Sequence, residues 1–68
     1  MDGVERLLTL LEDGQWHLID DVAHQLAWSE PKTLQLVRFL ADHGMVSYRT
    51  RDRSVKLDSA LLQILQQD

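Results

Sequence analysis

Three arginines, Arg49, Arg51 and Arg53, lie within a five-residue stretch, and Lys56 follows shortly after them. Guanidinium and ammonium groups pair with phosphate oxygens, so this cluster is typical of a surface that contacts a nucleic-acid backbone or enters a minor groove. The alternative is a charged edge hairpin, because such residues also keep exposed strands from pairing with other chains. We expect nucleic-acid contact, because the cations are concentrated locally within an acidic chain.

A second polar group, Lys32, Gln35 and Arg38, recurs along one side of the helix that the sequence predicts before the arginines. Glutamine forms paired hydrogen bonds with adenine and arginine with guanine, while lysine suits phosphate. The same residues are equally well explained as the solvated side of an amphipathic helix. No target sequence follows from them.

The charge of the chain is divided between its two halves. Residues 1–30 contain seven acids and one base, whereas residues 31–57 contain six bases and two acids, within a net charge of −4. The sign of a local patch matters more for binding than the total. The basic segment therefore favours a nucleic-acid partner, and the overall acidity favours the alternative of a protein partner.

Size and composition exclude several classes of protein. Sixty-eight residues predict one domain over 1–68, and the absence of cysteine excludes disulfides and thiolate–zinc sites. No apolar run approaches the roughly 20 residues that span a bilayer, and the N-terminus lacks the basic and apolar regions of a signal peptide. We expect a cytoplasmic protein.

Catalytic and metal-binding patterns have little support. The chain has no Ser-His-Asp arrangement and no glycine-rich phosphate loop, so we predict neither an enzyme nor a cofactor. His17, Asp21 and His24 have a spacing that would suit one helical face, but a structural metal site needs four ligands. We predict no metal.

Hydrophobic periodicity predicts two helices in the acidic half. The first spans about 3–13, with Asp2 as its cap and Gly14 as its left-handed stop. A short extended piece follows at 15–17. The inner side of the second helix, which ends near Ala27-Trp28, is predicted to consist of Leu18, Val22, Ala23 and Leu26.

The basic half begins with a third helix that Ser29 caps and Gly44 ends, with Pro31 in its first turn. Alternating residues then predict two strands joined by a loop of three or four residues around 51–53, with the arginines outward. An apolar helix follows Asp58 or Ser59. The predicted class is mainly α with a small antiparallel β-hairpin.

This order of elements resembles the winged-helix domain, a variant of the helix-turn-helix, over nearly the whole chain. The matching residues are Asp-Val-Ala-His-Gln-Leu-Ala at 21–27, Ser29, and Leu-Ala-Asp-His-Gly-Met-Val at 40–46. The last run is similar to the junction in small prokaryotic and archaeal transcriptional regulators where a glycine releases the recognition helix into the wing. The resemblance implies a recognition helix over about 30–43 and a wing over 49–56.

The resemblance also implies a function. The recognition helix would enter the major groove of double-stranded DNA, the wing would contact the backbone, and the protein would regulate transcription. Dimers through the C-terminal helix, Ala60 to Leu65, are typical of such regulators, although this helix could instead dock on the first one. The alternative function is an acidic winged-helix module that binds another protein in a larger complex.

Three aromatic residues complete the candidates. Trp16 and Trp28 are predicted to pack at the core or its rim, because stacking on bases would need a basic neighbourhood and their segment is acidic. Phe39 lies at the edge of the polar arc of the third helix. We expect it to pack under the terminal helix, with an exposed patch as the alternative.

Overall fold

The computed structural model describes residues 3–66, which form a small α/β domain. Asp2, the predicted cap of the first helix, lies outside this range. Seven elements occur in the described range, in the predicted order. They are α1 (Gly3–Leu10), β1 (His17–Leu18), α2 (Ile19–Leu26), α3 (Glu30–Asp42), β2 (Val46–Arg49), β3 (Ser54–Leu57) and α4 (Ser59–Gln66).

The strands form one antiparallel sheet in the order β1-β3-β2. The short extended piece predicted before the second helix is therefore an edge strand, placed at 17–18 rather than 15–17. His17 and Tyr48 both pair with Val55 from opposite sides, and Leu18 and Arg49 pair with Ser54. Because side chains alternate along a strand, one face of the sheet is apolar and the other carries Arg49 and Lys56.

The inner face of the sheet packs against the helices around one hydrophobic core. Its fully buried members include Leu7, Leu11, Ile19, Val22, Val37, Leu40, Val55 and Leu57. The prediction that Leu18 lies inward is wrong, since it is 47% exposed. Leu18 belongs to β1, so α2 begins one residue later and Ile19 takes the buried position.

Local conformations at the helix ends fix the directions of the chain. Helix α1 ends at Leu10, earlier than predicted, and a turn leads to Gly14 at φ +72°. Ala27 ends α2 at φ +58°, although L-residues seldom adopt this left-handed region. Ser29 caps α3 by accepting a hydrogen bond from the Lys32 amide at 3.3 Å, and Gly44 follows α3 at φ +74°; both were predicted.

Helix α4 lies close to the turn after α1. A Cβ at Gly14 would come within 2.7 Å of the Leu62 side chain, so the glycine allows this close approach. Ile64 and Leu65 on α4 remain 64% and 48% exposed. No helix within residues 3–66 is long and apolar enough to cross a membrane.

Candidate nucleic-acid interface

The segment predicted as the wing, for which that name is kept here, is the hairpin of β2 and β3 with a four-residue loop. Arg49 pairs with Ser54 across the strands, so residues 50–53 form the connection, at the upper end of the predicted length. Arg53 closes the loop in the left-handed region at φ +57°. The loop contains no glycine, so contacts elsewhere must stabilise this conformation.

Arg49 is engaged within the wing. Its Nε and Nη2 donate to the two Asp52 carboxylate oxygens at 2.9 and 2.7 Å, which is a bidentate ion pair. The Ser54 hydroxyl also donates to Asp52. These hydrogen bonds, that of Arg49 first, lower the pKa of Asp52 to about 2, and the carboxylate raises the pKa of Arg49.

Trp16 lies among cations on the outer face of the sheet. The Arg49 guanidinium carbon is 4.2 Å and the Lys56 Nζ is 4.9 Å from its ring centroid, which are cation–π distances. The sequence did not predict cations beside Trp16, because the segment of the chain around it is acidic. The register of the sheet brings them together, because Trp16 lies opposite Lys56 when His17 pairs with Val55.

Arg53 anchors the wing tip to two helices. Its guanidinium forms an ion pair with Glu30 at the start of α3, and its carbonyl accepts a hydrogen bond from the Ile19 amide at 2.8 Å at the start of α2. The attraction of Glu30 is the main reason that the pKa of Arg53 is raised, with smaller contributions from Tyr48 and Asp20. Arg53 therefore positions the hairpin tip against α3.

Arg51 differs from the other two arginines of the wing. It lies exposed at the loop, and no hydrogen bond or ion pair of its side chain occurs within residues 3–66. A cation without an internal partner can bind an external anion without breaking an existing contact. Arg51 is therefore the arginine of the wing most available to phosphate.

The predicted contact residues of α3, Lys32, Gln35 and Arg38, are all exposed, as the sequence predicted. The Lys32 Nζ lies 5.2 Å from the Trp28 ring centroid, and Gln35 and Arg38 have no side-chain partner within the described part of the chain. This face of α3 contains a shallow, open depression of about 460 Å³. Its lining residues are Pro31, Leu34, Gln35, Arg38, Phe39 and Asp42.

Phe39 lies in this depression, so the prediction that it packs under the terminal helix is wrong. The side chain is 55% exposed, because Val37 and Leu40 occupy the buried face of α3. Its ring centroid is 4.4 Å from that of His43, whose Nδ1 lies 2.9 Å from the Phe39 carbonyl oxygen. The histidine therefore supports one side of the exposed ring.

The histidines of the acidic half do not converge with Asp21. His17 belongs to β1, outside α2, and its Nε2 lies 2.9 Å from Asp13 Oδ1. The Gln15 amide first, and then His17, lower the pKa of Asp13. Within residues 3–66, no group of three or more acidic or histidine side chains is placed to hold a metal ion.

Comparison with known proteins assigns no family to this arrangement. No protein-family model matches the chain, and no curated protein is similar to it in sequence.

Proposed function

We propose that this chain is a winged-helix domain that binds double-stranded DNA and regulates transcription without catalysing a reaction. Helix α3 lies in the major groove with Lys32, Gln35 and Arg38 toward the bases and phosphates. The wing contacts the adjacent backbone through Arg51 and Lys56. Arg49 and Arg53 reach phosphate by exchanging their internal carboxylate partners.

The observation that carries this proposal is the contact between Arg53 and Glu30. It holds the tip of the wing against the first turn of α3, where Lys32 is also exposed. A DNA duplex is wide enough to meet a helix and an adjoining hairpin together, one in the groove and one on the backbone. Two separate basic segments of the sequence thereby become one candidate surface.

The test is a titration of isotope-labelled protein with a short duplex at low salt, following the backbone amide signals. We expect shifts confined to residues 30–38 and 49–56. Arg51→Glu should weaken binding and leave the melting temperature unchanged, because this side chain has no partner within residues 3–66. Arg53→Glu should lower the melting temperature as well, because it opposes Glu30 and Asp20.

The salt dependence of binding provides a second measurement. The logarithm of the affinity should fall with the logarithm of the salt concentration by about 0.9 for each phosphate neutralised. Arg51→Ala should reduce this slope by about 1. Unchanged affinity and slope in both Arg51 variants would contradict the wing contact.

A second candidate function is a protein-binding module, and α4 favours it. Ile64 and Leu65 are exposed on a helix that Leu62 already fixes to the body of the domain. Such a face suits another protein or a second copy of the chain, as in a two-fold dimer. An apolar interface of this kind resists salt, whereas DNA binding weakens steeply, so the salt titration distinguishes the two functions.

A further inference from the structure

Phe39 is the exposed residue that the proposed function leaves unexplained. A phenylalanine contributes strongly to a core when it is buried, yet this ring is 55% exposed in a domain with a thin core. It shares an open depression with Gln35 and Arg38, the two base-contacting candidates of α3. An aromatic ring between hydrogen-bonding side chains has the composition of a mixed apolar and polar contact surface.

The spacing of Gln35 and Phe39 matches the dimensions of a duplex. Residues four apart lie on the same face of a helix, about 6 Å apart along its axis. Successive base pairs are about 3.4 Å apart, so the two side chains reach base pairs one or two steps apart. Each can therefore contact its own base edge along one groove.

The chemistry of the major groove identifies the apolar target. The C5-methyl group of thymine is the apolar group that the base edges present there, and phenylalanine is one of the side chains that contact it. Adenine presents an acceptor and a donor that match the amide of glutamine. Together, a ring and an amide on one helix face select for A·T pairs.

We propose that Phe39 is a specificity-determining residue that contacts a thymine methyl group, while Gln35 hydrogen-bonds a neighbouring adenine. The proposal rests on the DNA-binding function inferred above and extends it to the class of site. His43 supports the ring from one side, at 4.4 Å between centroids, and leaves the rest of it open. Arg38 remains available to a phosphate or a guanine at the margin of the site.

The experiment compares two short duplexes of alternating A·T pairs, one with thymidine and one with deoxyuridine throughout. Deoxyuridine pairs in the same way but lacks the methyl group. Fluorescence anisotropy at low salt should give about fourfold tighter binding of the thymidine duplex, the factor expected for burying one methyl-sized group. Phe39→Ala should bind both duplexes equally, with an unchanged melting temperature because the ring is already exposed.

Gln35→Ala is the matched control on the same helix face. It should weaken binding to both duplexes and keep the preference for thymidine, because the methyl contact belongs to Phe39. Equal binding of the two duplexes by the unaltered protein would overturn the proposal and leave DNA binding intact. A preference that survives Phe39→Ala would also overturn it. Failure to bind any duplex would remove the proposed function, and this inference with it.

Discussion

The wing and the exposed face of α3 both contain the cations that the sequence predicted, but these cations differ in whether they have acidic partners within the domain. In the wing, Arg49 and Arg53 are paired with Asp52 and Glu30. On α3, Arg38 has no such partner within residues 3–66. Residue type therefore does not assign a role here, because the acids that the fold places nearby decide which arginines shape the hairpin and which remain available.

The paired arginines order the hairpin, and the unpaired arginine remains available to an external anion. The bidentate contact of Arg49 closes the four-residue loop, and the contact of Arg53 fixes the loop to α3. The wing is thus a preorganised element with one unpaired arginine, Arg51. Preorganisation lowers the ordering cost of binding. In the function we propose, the wing therefore contacts the backbone, and the unpartnered side chains of α3 discriminate between bases.

The largest effect is expected from Glu30→Gln, which removes the carboxylate that pairs with Arg53. Arg53 then has no carboxylate partner on α3 and resembles Arg51 in this respect. The variant removes an anion from the candidate surface and frees a guanidinium for phosphate. Duplex affinity should rise by up to about fivefold, the range of a surface ion pair. The dependence on salt should stay the same, because Arg53 neutralises the same phosphate in both proteins and only the cost of breaking its ion pair is removed. Anisotropy titrations at several salt concentrations measure both quantities.

Glu12→Gln is the control for Glu30→Gln. It changes the net charge by the same amount at an exposed position just after α1. If Glu12→Gln raises the affinity as much as Glu30→Gln, the effect is one of total charge and the ion pair does not restrain Arg53. If neither variant binds more tightly, Arg53 is only an anchor.

The order of elements was predictable because it depends on local signals. Apolar periodicity marked the helices, and Ser29, Gly14 and Gly44 marked their boundaries through conformations that those residue types favour. The left-handed stop at Ala27 had no such signal, since alanine is not typical there. In the structure the Trp28 amide donates to the Ala23 carbonyl at 2.9 Å, a backbone hydrogen bond that closes the helix end in this conformation.

The partners of the site residues were not predictable, because they come from distant parts of the sequence. Trp16 meets Arg49, and Arg53 meets Glu30, only after the sheet and helices have assembled. Periodicity gives the direction of a side chain relative to its own element and not the residue across from it. Phe39 illustrates the same limit, since the width of the buried stripe on α3 depends on what packs against it.

Two left-handed residues provide a second test, one before α3 and one in the wing. Ala27→Gly should stabilise the protein by about 0.5–1 kcal/mol. Glycine removes the steric cost of φ +58°, and the larger backbone entropy that glycine loses on folding offsets part of this gain. Arg53→Gly relieves a similar conformation at φ +57° but loses the contact with Glu30, so it should not stabilise. Denaturant unfolding measures both.

The comparison between these two variants gives the result its meaning. Stabilisation by Ala27→Gly alone would show that the Arg53 side chain offsets the strain of its own loop. Equal stabilisation by both would show that the anchor contributes nothing to stability. Ala41→Gly, within α3, should destabilise by about 1 kcal/mol and confirms that glycine is not favourable at every alanine.

The smallest expected effect is the response of the wing to acid. Asp52 has its pKa lowered to about 2 by Arg49 and Ser54, below the unfolded value of about 4. Its stabilising contribution is therefore complete above about pH 4 and is lost as the pH falls toward 2.

Asp52→Asn should have a shallower curve of stability against pH across this window, and Arg49→Gln should flatten the curve over the same window. Amide signals of β2 and β3 next to Asp52 should shift within this same window. Parallel curves of stability against pH for the unaltered protein and Asp52→Asn would mean that Arg53 alone holds the wing. The contrast between an ordered hairpin and an open helix face would then depend only on the ion pair between Arg53 and Glu30.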